Sequence, residues 1–206
     1  MKTSNSIAAT MYHLSKNPEK QEFLFKELKK ILPNKNDVVT VEKLENMKYL
    51  KACIKESMRI SSIAVGTMRG STKDIVIGNY RIPKDVNIMM PHLMIGMTEE
   101  HMIMPNKYLP ERWLQHRPAD ADGIGSAEDF DKSTAVKPHP FVFVPFGFGP
   151  RMCVGRRFAE LEMHTLLAKM IRNFKLEYNH GEMKFESKIL HRPVCPLKFK
   201  LTDRAE

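Results

Sequence analysis

Cysteine is scarce in this chain and scattered: Cys53, Cys153 and Cys195 are the only three in 206 residues, and none forms a C-x-x-C pair. An odd, widely spaced set argues against a disulfide framework and against a structural zinc site, so the thiols are expected to be reduced. Long apolar runs are missing too, since no stretch approaches the roughly 20 residues of a membrane span. The first residues, M-K-T-S-N-S-I-A-A-T-M-Y-H-L, carry helically spaced apolar positions broken by polar ones, which is not the composition of a signal peptide. Acidic residues are in deficit, 24 against 33 basic ones, for a net charge of +9. That balance favours an acidic partner, an anionic membrane surface or nucleic acid without choosing between them. With 42% hydrophobic and 28% charged residues, the composition is that of globular material, long enough for one sizeable core or a large part of a bigger one.

What is present is mostly helical periodicity. Ile7, Met11 and Leu14 mark one helix face that ends at Asn17-Pro18, because a residue before proline is pushed out of the α region. Asn17 is expected to cap a second helix with Pro18 in its first turn and Leu24, Leu28, Ile31 and Leu32 as its stripe, closed by Pro33-Asn34. A third helix is expected from Val41 to Arg59, with Leu44, Met47, Leu50, Ile54 and Met58 inward and Lys48, Lys51 and Lys55 on another side. From Ile75 the period becomes two, and Gly78-Asn79 reads as a hairpin turn between Ile75-Ile77 and Tyr80-Ile82. Val86 to Met90 is a further candidate strand. Gln115 to Pro140 has no period and reads as an insertion on the surface. Near Cys153 an amphipathic helix begins, with Met163, Leu166, Leu167, Met170, Ile171 and Phe174 as its stripe; short strands follow from Lys175, broken at Arg192-Pro193 and Cys195-Pro196. No internal repeat or second domain is visible, so residues 1–206 are expected to belong to a single domain.

The stretch F-G-F-G-P-R-M-C-V-G-R-R, Phe146 to Arg157, carries the chemistry. A merely buried cysteine in a glycine-rich turn is the commonest alternative. A dinucleotide fingerprint fails because the glycines stand at 147, 149 and 155 and Pro150 removes a backbone donor. A cysteine phosphatase loop fails because position 159 is alanine rather than arginine. A haem thiolate fits better: a cysteine just before a helix start is held as thiolate by the helix dipole, and glycines let a flat macrocycle approach the backbone.

The fixed positions Phe146, Gly149, Arg151, Cys153 and Gly155 resemble the haem-binding signature F-x-x-G-x-R-x-C-x-G of the cytochrome P-450 superfamily. Two further marks follow the family's order. Glu56-Ser-Met-Arg59 looks like its E-x-x-R helix motif, and Pro110-Glu-Arg112-Trp113 resembles its P-E-R-F meander motif. By themselves these are a common i, i+3 surface pair and an ordinary tripeptide. The resemblance implies a mainly α fold with small β-sheets: the C-terminal part of the cytochrome P-450 fold. This part runs from the end of the oxygen-activating helix through J, K, the β-hairpin region, meander, cysteine loop and L helix to the C-terminal strands.

The implied cofactor is haem (iron protoporphyrin IX), with Cys153 as the axial thiolate, Arg151 and Arg69 facing its propionates, and Phe146 packed near the sulfur. A thiolate ligand favours O-O cleavage, so the implied activity is monooxygenation. Glu56, Arg59 and Arg112 are implied to form a buried charge triad. The sequence around Cys53 and around Gly155 is similar to the animal mitochondrial clan. That similarity implies an adrenodoxin-like ferredoxin as electron donor, docked on Lys51, Lys55, Arg156 and Arg157, and a place on the matrix side of the mitochondrial inner membrane; a microsomal protein is the alternative. Membrane association of a full-length protein fits both, and nucleic acid is not expected as a partner. Ile63, Ala64, Val65 and Ile189 fall in stretches implied to contact a lipophilic, sterol-like or foreign substrate. The family's acid-alcohol pair is missing: Met1 and Lys2 stand in its positions, so no catalytic proton-delivery residue is assigned and the chain by itself is expected to be inactive. The competing function is a truncated, inactive product that keeps only a ferredoxin-binding or other interaction surface.

Overall fold

The computed structural model of the chain describes residues 2–114, 139–187 and 190–204. Its frame is four helices that meet on one apolar core: α1 (Lys2–Lys16), α2 (Pro18–Ile31), α4 (Lys48–Ile60) and α6 (Arg156–Asn173), with the short α3 (Val41–Asn46) between α2 and α4. The core contains Leu14 of α1, Leu24 and Leu28 of α2, Leu50, Cys53 and Ile54 of α4, and Met163, Leu167 and Ile171 of α6, each nearly or wholly excluded from solvent. Cys53 is thus a packed core thiol, and burial pushes its proton affinity up. Gln21 ties the layers together. Its side-chain amide donates to the Leu14 and Leu176 carbonyls at 3.1 and 3.0 Å and accepts from the Leu176 N–H at 2.8 Å.

Several sequence expectations need correction. Asn17 does begin α2, but its side chain makes no cap; it turns back and donates to the His13 carbonyl at 2.7 Å. The single helix expected over Val41–Arg59 is two. Met47, fully buried, leaves the helical region at ψ 68°. The break is favoured by Glu27 of α2, whose carboxylate accepts the Tyr49 and Leu50 N–H groups at 2.8 and 3.1 Å and so caps α4. That partner is distant in sequence, and no local pattern encodes it. In α6, Leu166 of the expected stripe is exposed, whereas Ala168 and Arg172 are buried in its place. Arg172 turns inward to donate to the Leu32 carbonyl at 2.7 Å and to that of Pro33, closing the chain that leaves α2.

All the strands described pair antiparallel in twos. β2 (Ile75–Ile77) and β3 (Tyr80–Ile82) make the expected hairpin, with Gly78 in the left-handed region at φ +58°. β4 (Asn87–Met90) does not extend that hairpin; it pairs across it with β1 (Thr67–Gly70), in the register Thr67↔Met90 and Arg69↔Ile88. α5 (His92–Ile95) comes directly after it. β5 (Phe174–Glu177) pairs with β8 (Lys200–Asp203), and β6 (Phe185–Ser187) with β7 (His191–Pro193). The Arg192-Pro193 break therefore falls at the end of a strand, where proline's missing N–H is tolerated. Most of the expected surface insertion, residues 115–138, lies outside the described residues.

Candidate active site around Cys153

The cysteine loop is short, and its backbone is folded on itself. Gly147 and Gly149 have φ of +70° and +66°, a region that L side chains rarely adopt, so the turn requires glycine at both. A 3-10 turn over Gly149–Arg151 comes next, and the Cys153 N–H closes the loop on the Phe146 carbonyl at 2.9 Å. α6 starts three residues later, with Gly155 as the residue before it. A Cβ built on Gly149 or Gly155 would meet no atom within 4 Å, so both face open space.

Cys153 is exposed, unlike Cys53, and it borders a cavity of about 420 Å³. The same cavity gathers Arg69 from β1, Arg151 and Phe146 from the loop, and Ile63 and Ala64 from the segment after α4. Its remaining walls include Met58, Val144, Pro145, Ala159 and Met163, which are apolar. Val65 is not among the lining residues; its carbonyl instead accepts the Leu93 N–H at 3.0 Å. Ile189 lies outside the described residues, while its neighbour Leu190 does line the cavity. One thiol, two guanidinium groups and a largely apolar wall with a few hydroxyls and one imidazole form a donor set suited to a flat, apolar, iron-bearing macrocycle with acidic side arms.

Among the lining residues without a role in the sequence motifs, Thr67 and His92 are joined to each other. Thr67 Oγ1 and His92 Nε2 are 2.9 Å apart. Burial lowers the His92 proton affinity, and the Arg69 charge lowers it further. Their proximity depends on the β1–β4 register, which skips over a whole hairpin, so no local motif marks it.

Beneath the cavity, Glu56 is fully buried and accepts five hydrogen bonds. Arg59 grips it with two, at 3.0 and 2.8 Å; Arg112 Nε gives one at 3.1 Å, the Leu109 N–H one at 3.0 Å and the Trp113 indole one at 2.9 Å. The guanidinium groups also bind carbonyls of the chain that they span: Arg59 those of Gly96 and Lys107, Arg112 those of Ile103 and Met104. This locks the segment between α5 and the Pro110–Trp113 turn onto α4. A second buried pair has no counterpart among the sequence expectations. Lys20 stands 3.1 Å from Glu111, which also accepts the Tyr49 hydroxyl at 2.6 Å.

The basic residues expected to form a docking face do not all present free charge. Lys55 sits over the Trp113 ring at 5.9 Å, and Lys51 donates to the Glu45 carbonyl at 3.1 Å. Arg156 pairs with Glu160 at 2.9 Å and lies 5.6 Å from the Phe146 ring centroid, so it joins the cysteine loop to α6. Arg157 is exposed. His164, two turns along the same face of α6 from Arg157, has its proton affinity lowered by burial and by Lys51 and Lys55, with Glu160 opposing, which places α4's lysines beside α6.

No helix described is long and apolar enough to cross a membrane. A family model described as Cytochrome P450 matches residues 2–200. Probable cytochrome P450 49a1 of Drosophila melanogaster is 44% identical over 99% of this chain but only 33% of its own length. Probable cytochrome P450 12a5, mitochondrial, of the same organism is 44% identical over 98% of this chain and 37% of its own length. Cytochrome P450 CYP12A2 of Musca domestica is 41% identical, with the same coverage, 98% and 37%. The chain thus spans about a third of the length of these curated relatives. The match to the family model over nearly every residue, joined to a helical frame with small antiparallel sheets, makes the chain a member of the cytochrome P450 family that carries the C-terminal portion of its fold.

Proposed function

We propose that this chain is the cysteine-bearing part of a haem-thiolate monooxygenase that acts on a lipophilic substrate and draws electrons from a ferredoxin. The observation that carries the reading is the exposed Cys153 thiol at a largely apolar cavity with Arg69 and Arg151 in its wall. Cys153 would hold the haem iron through its sulfur, and Arg69 and Arg151 would answer the two propionates. Phe146 would cover the sulfur side, while Gly149 and Gly155 leave room for the macrocycle. Bound haem supplies the activation of dioxygen, from which one oxygen atom enters a C–H bond of the substrate.

The chain's own residues supply position and environment. The left-handed glycines hold Cys153 just ahead of the first turn of α6. Glu56, Arg59 and Arg112 fix the frame around the site. Ile63, Ala64, Val65 and Ile189 are the residues proposed to meet an apolar substrate, of sterol-like or foreign type. Lys51, Lys55, Arg156 and Arg157 are the proposed docking face for an acidic, adrenodoxin-like ferredoxin, with Arg157 the member best placed to act through charge alone. Several of the relatives are named mitochondrial, which supports a mitochondrial location; the matrix side of the inner membrane is the proposed place within it. Residues 1–206 would then be a single, incomplete domain.

The test is the absorption spectrum of the chain expressed with haem, reduced and exposed to carbon monoxide. The expected result is a red-shifted, thiolate-type Soret band that Cys153→Ala abolishes. A band that survives in Cys153→Ala would refute the ligand assignment. No band in the unaltered chain would favour the second reading, a truncated product that retains only a partner-binding surface.

A further inference from the structure

The proposed haem arrangement assigns the cationic groups of the cavity and leaves one polar pair in its wall unused; any role for that pair rests on the same haem reading. Thr67 and Arg69 are two residues apart on β1, so their side chains share a face of the strand; both are half-buried, while Met68 and Gly70 between and beyond them are exposed. His92, the first residue of α5 and two residues past the end of β4, stands 2.9 Å from the Thr67 hydroxyl. All three line the cavity with Cys153. The cysteine loop lies against them, since a Cβ on Gly147 would come within 3.9 Å of Thr67 Cγ2.

We propose that Thr67 and His92 form, beside Arg69, an additional anchoring point for a carboxylate of the bound macrocycle, with Thr67 donating to it and His92 fixing the hydroxyl's direction. A threonine hydroxyl has one hydrogen to give and two lone pairs to accept with. If that hydrogen goes to a carboxylate, the bond to His92 must run the other way, from Nε2–H to Oγ1. A neutral imidazole with its proton on Nε2 meets this need, and partial burial beside Arg69 keeps the ring neutral. The carboxylate then receives a guanidinium charge and a directed hydroxyl from one strand face. His92 is a positioning residue, and Thr67 is the contact.

Esterifying the acidic arms isolates this contact. Apo chain is titrated with haemin and with haemin dimethyl ester, for the unaltered protein, Thr67→Val, His92→Phe and His92→Gln. Thr67→Val and His92→Phe are expected to weaken haemin binding about tenfold, the scale of one hydrogen bond to a charged group, and to leave ester binding unchanged. His92→Gln, whose amide can still donate to Thr67, should recover most of the loss. Equal losses for haemin and ester would mean a structural role only and would overturn the assignment, as would unchanged haemin binding in both variants. An unaltered chain that binds haemin and ester equally well would remove the carboxylate grip altogether, Arg69 included. Binding of neither would overturn the haem reading itself.

Discussion

Replacing Glu56 by glutamine is the sharpest test of what holds this frame together. The side chain keeps its volume, so packing is preserved and only charge and acceptor capacity change. One carboxylate oxygen accepts from Arg59, Arg112 and the Leu109 N–H; the other accepts from Arg59 and the Trp113 indole. Whichever oxygen becomes an NH2 group, two or three donors lose their acceptor, and two guanidinium groups lose their counter-charge. Removing one partner of a buried ion pair costs about 3–5 kcal/mol. Whole domains are stable by only about 5–15 kcal/mol, so the loss is a large share of the total. Urea unfolding followed by circular dichroism measures it directly. Arg59→Met alone should be similarly severe, yet much milder when Glu56→Gln is already present, because the carboxylate that it leaves unpaired is gone. A loss below about 1 kcal/mol for Glu56→Gln, or strict additivity of the two changes, would refute the argument.

His13 supplies a pH dependence. It is stacked on Tyr108 and bonded to the Ser61 hydroxyl, and burial holds its pKa down at about 4, against an attraction to Glu56 and with a smaller contribution from Arg59. The unfolded chain takes up this proton near pH 6.5 and the folded one does not, so stability is full above that value and falls as pH drops toward 4, by about 3 kcal/mol in all. His13→Phe should flatten that slope in urea titrations between pH 7 and 4, and an unchanged slope would show that other groups set it. On the proposed docking face, and if the proposed ferredoxin-driven activity holds for a full-length protein, charge reversal at Lys51, Lys55 and Arg157 should weaken ferredoxin-driven turnover severalfold while sparing peroxide-driven turnover. Equal losses would sink the docking assignment.

How much of the fold and site is legible in the sequence depends on how locally each feature is encoded. The cysteine loop is legible because its determinants are contiguous: Gly149, Arg151, Cys153 and Gly155 set turn, charge, thiol and helix start within a few residues. The Glu56 network is half legible. Arg59 is on the same helix face, but Arg112, Trp113 and the Leu109 N–H arrive from a distant turn, and only the family resemblance joins the first of these to Glu56. Lys20 with Glu111, Glu27 with the start of α4, and Thr67 with His92 carry no such signal. The first two pairs are made by elements whose approach is decided by the core between them, and the third by the β1–β4 register. The break at Met47 is the clearest case, because a continuous helical pattern gives way to a cap supplied from another helix.

The helix after the cysteine shows a different limit. Periodicity marks which side chains are apolar, and it says nothing about what covers them. Leu166 belongs to the expected stripe of α6 yet is 46% exposed, and Phe158 and Leu161 on the same helix are 76% and 49% exposed. Val154, just ahead of α6, is fully open. The buried side of α6 meets α1, α2 and α4, so its stripe is satisfied within the chain; the other apolar side is left bare among the described residues. Cys153 is itself exposed, and on the proposed haem-thiolate reading a wet thiolate is a weaker donor than a dry one because water competes for its charge. On that reading the geometry of the Cys153 loop is set by local glycines, whereas the dryness that a strong thiolate donor needs is not supplied by the described residues.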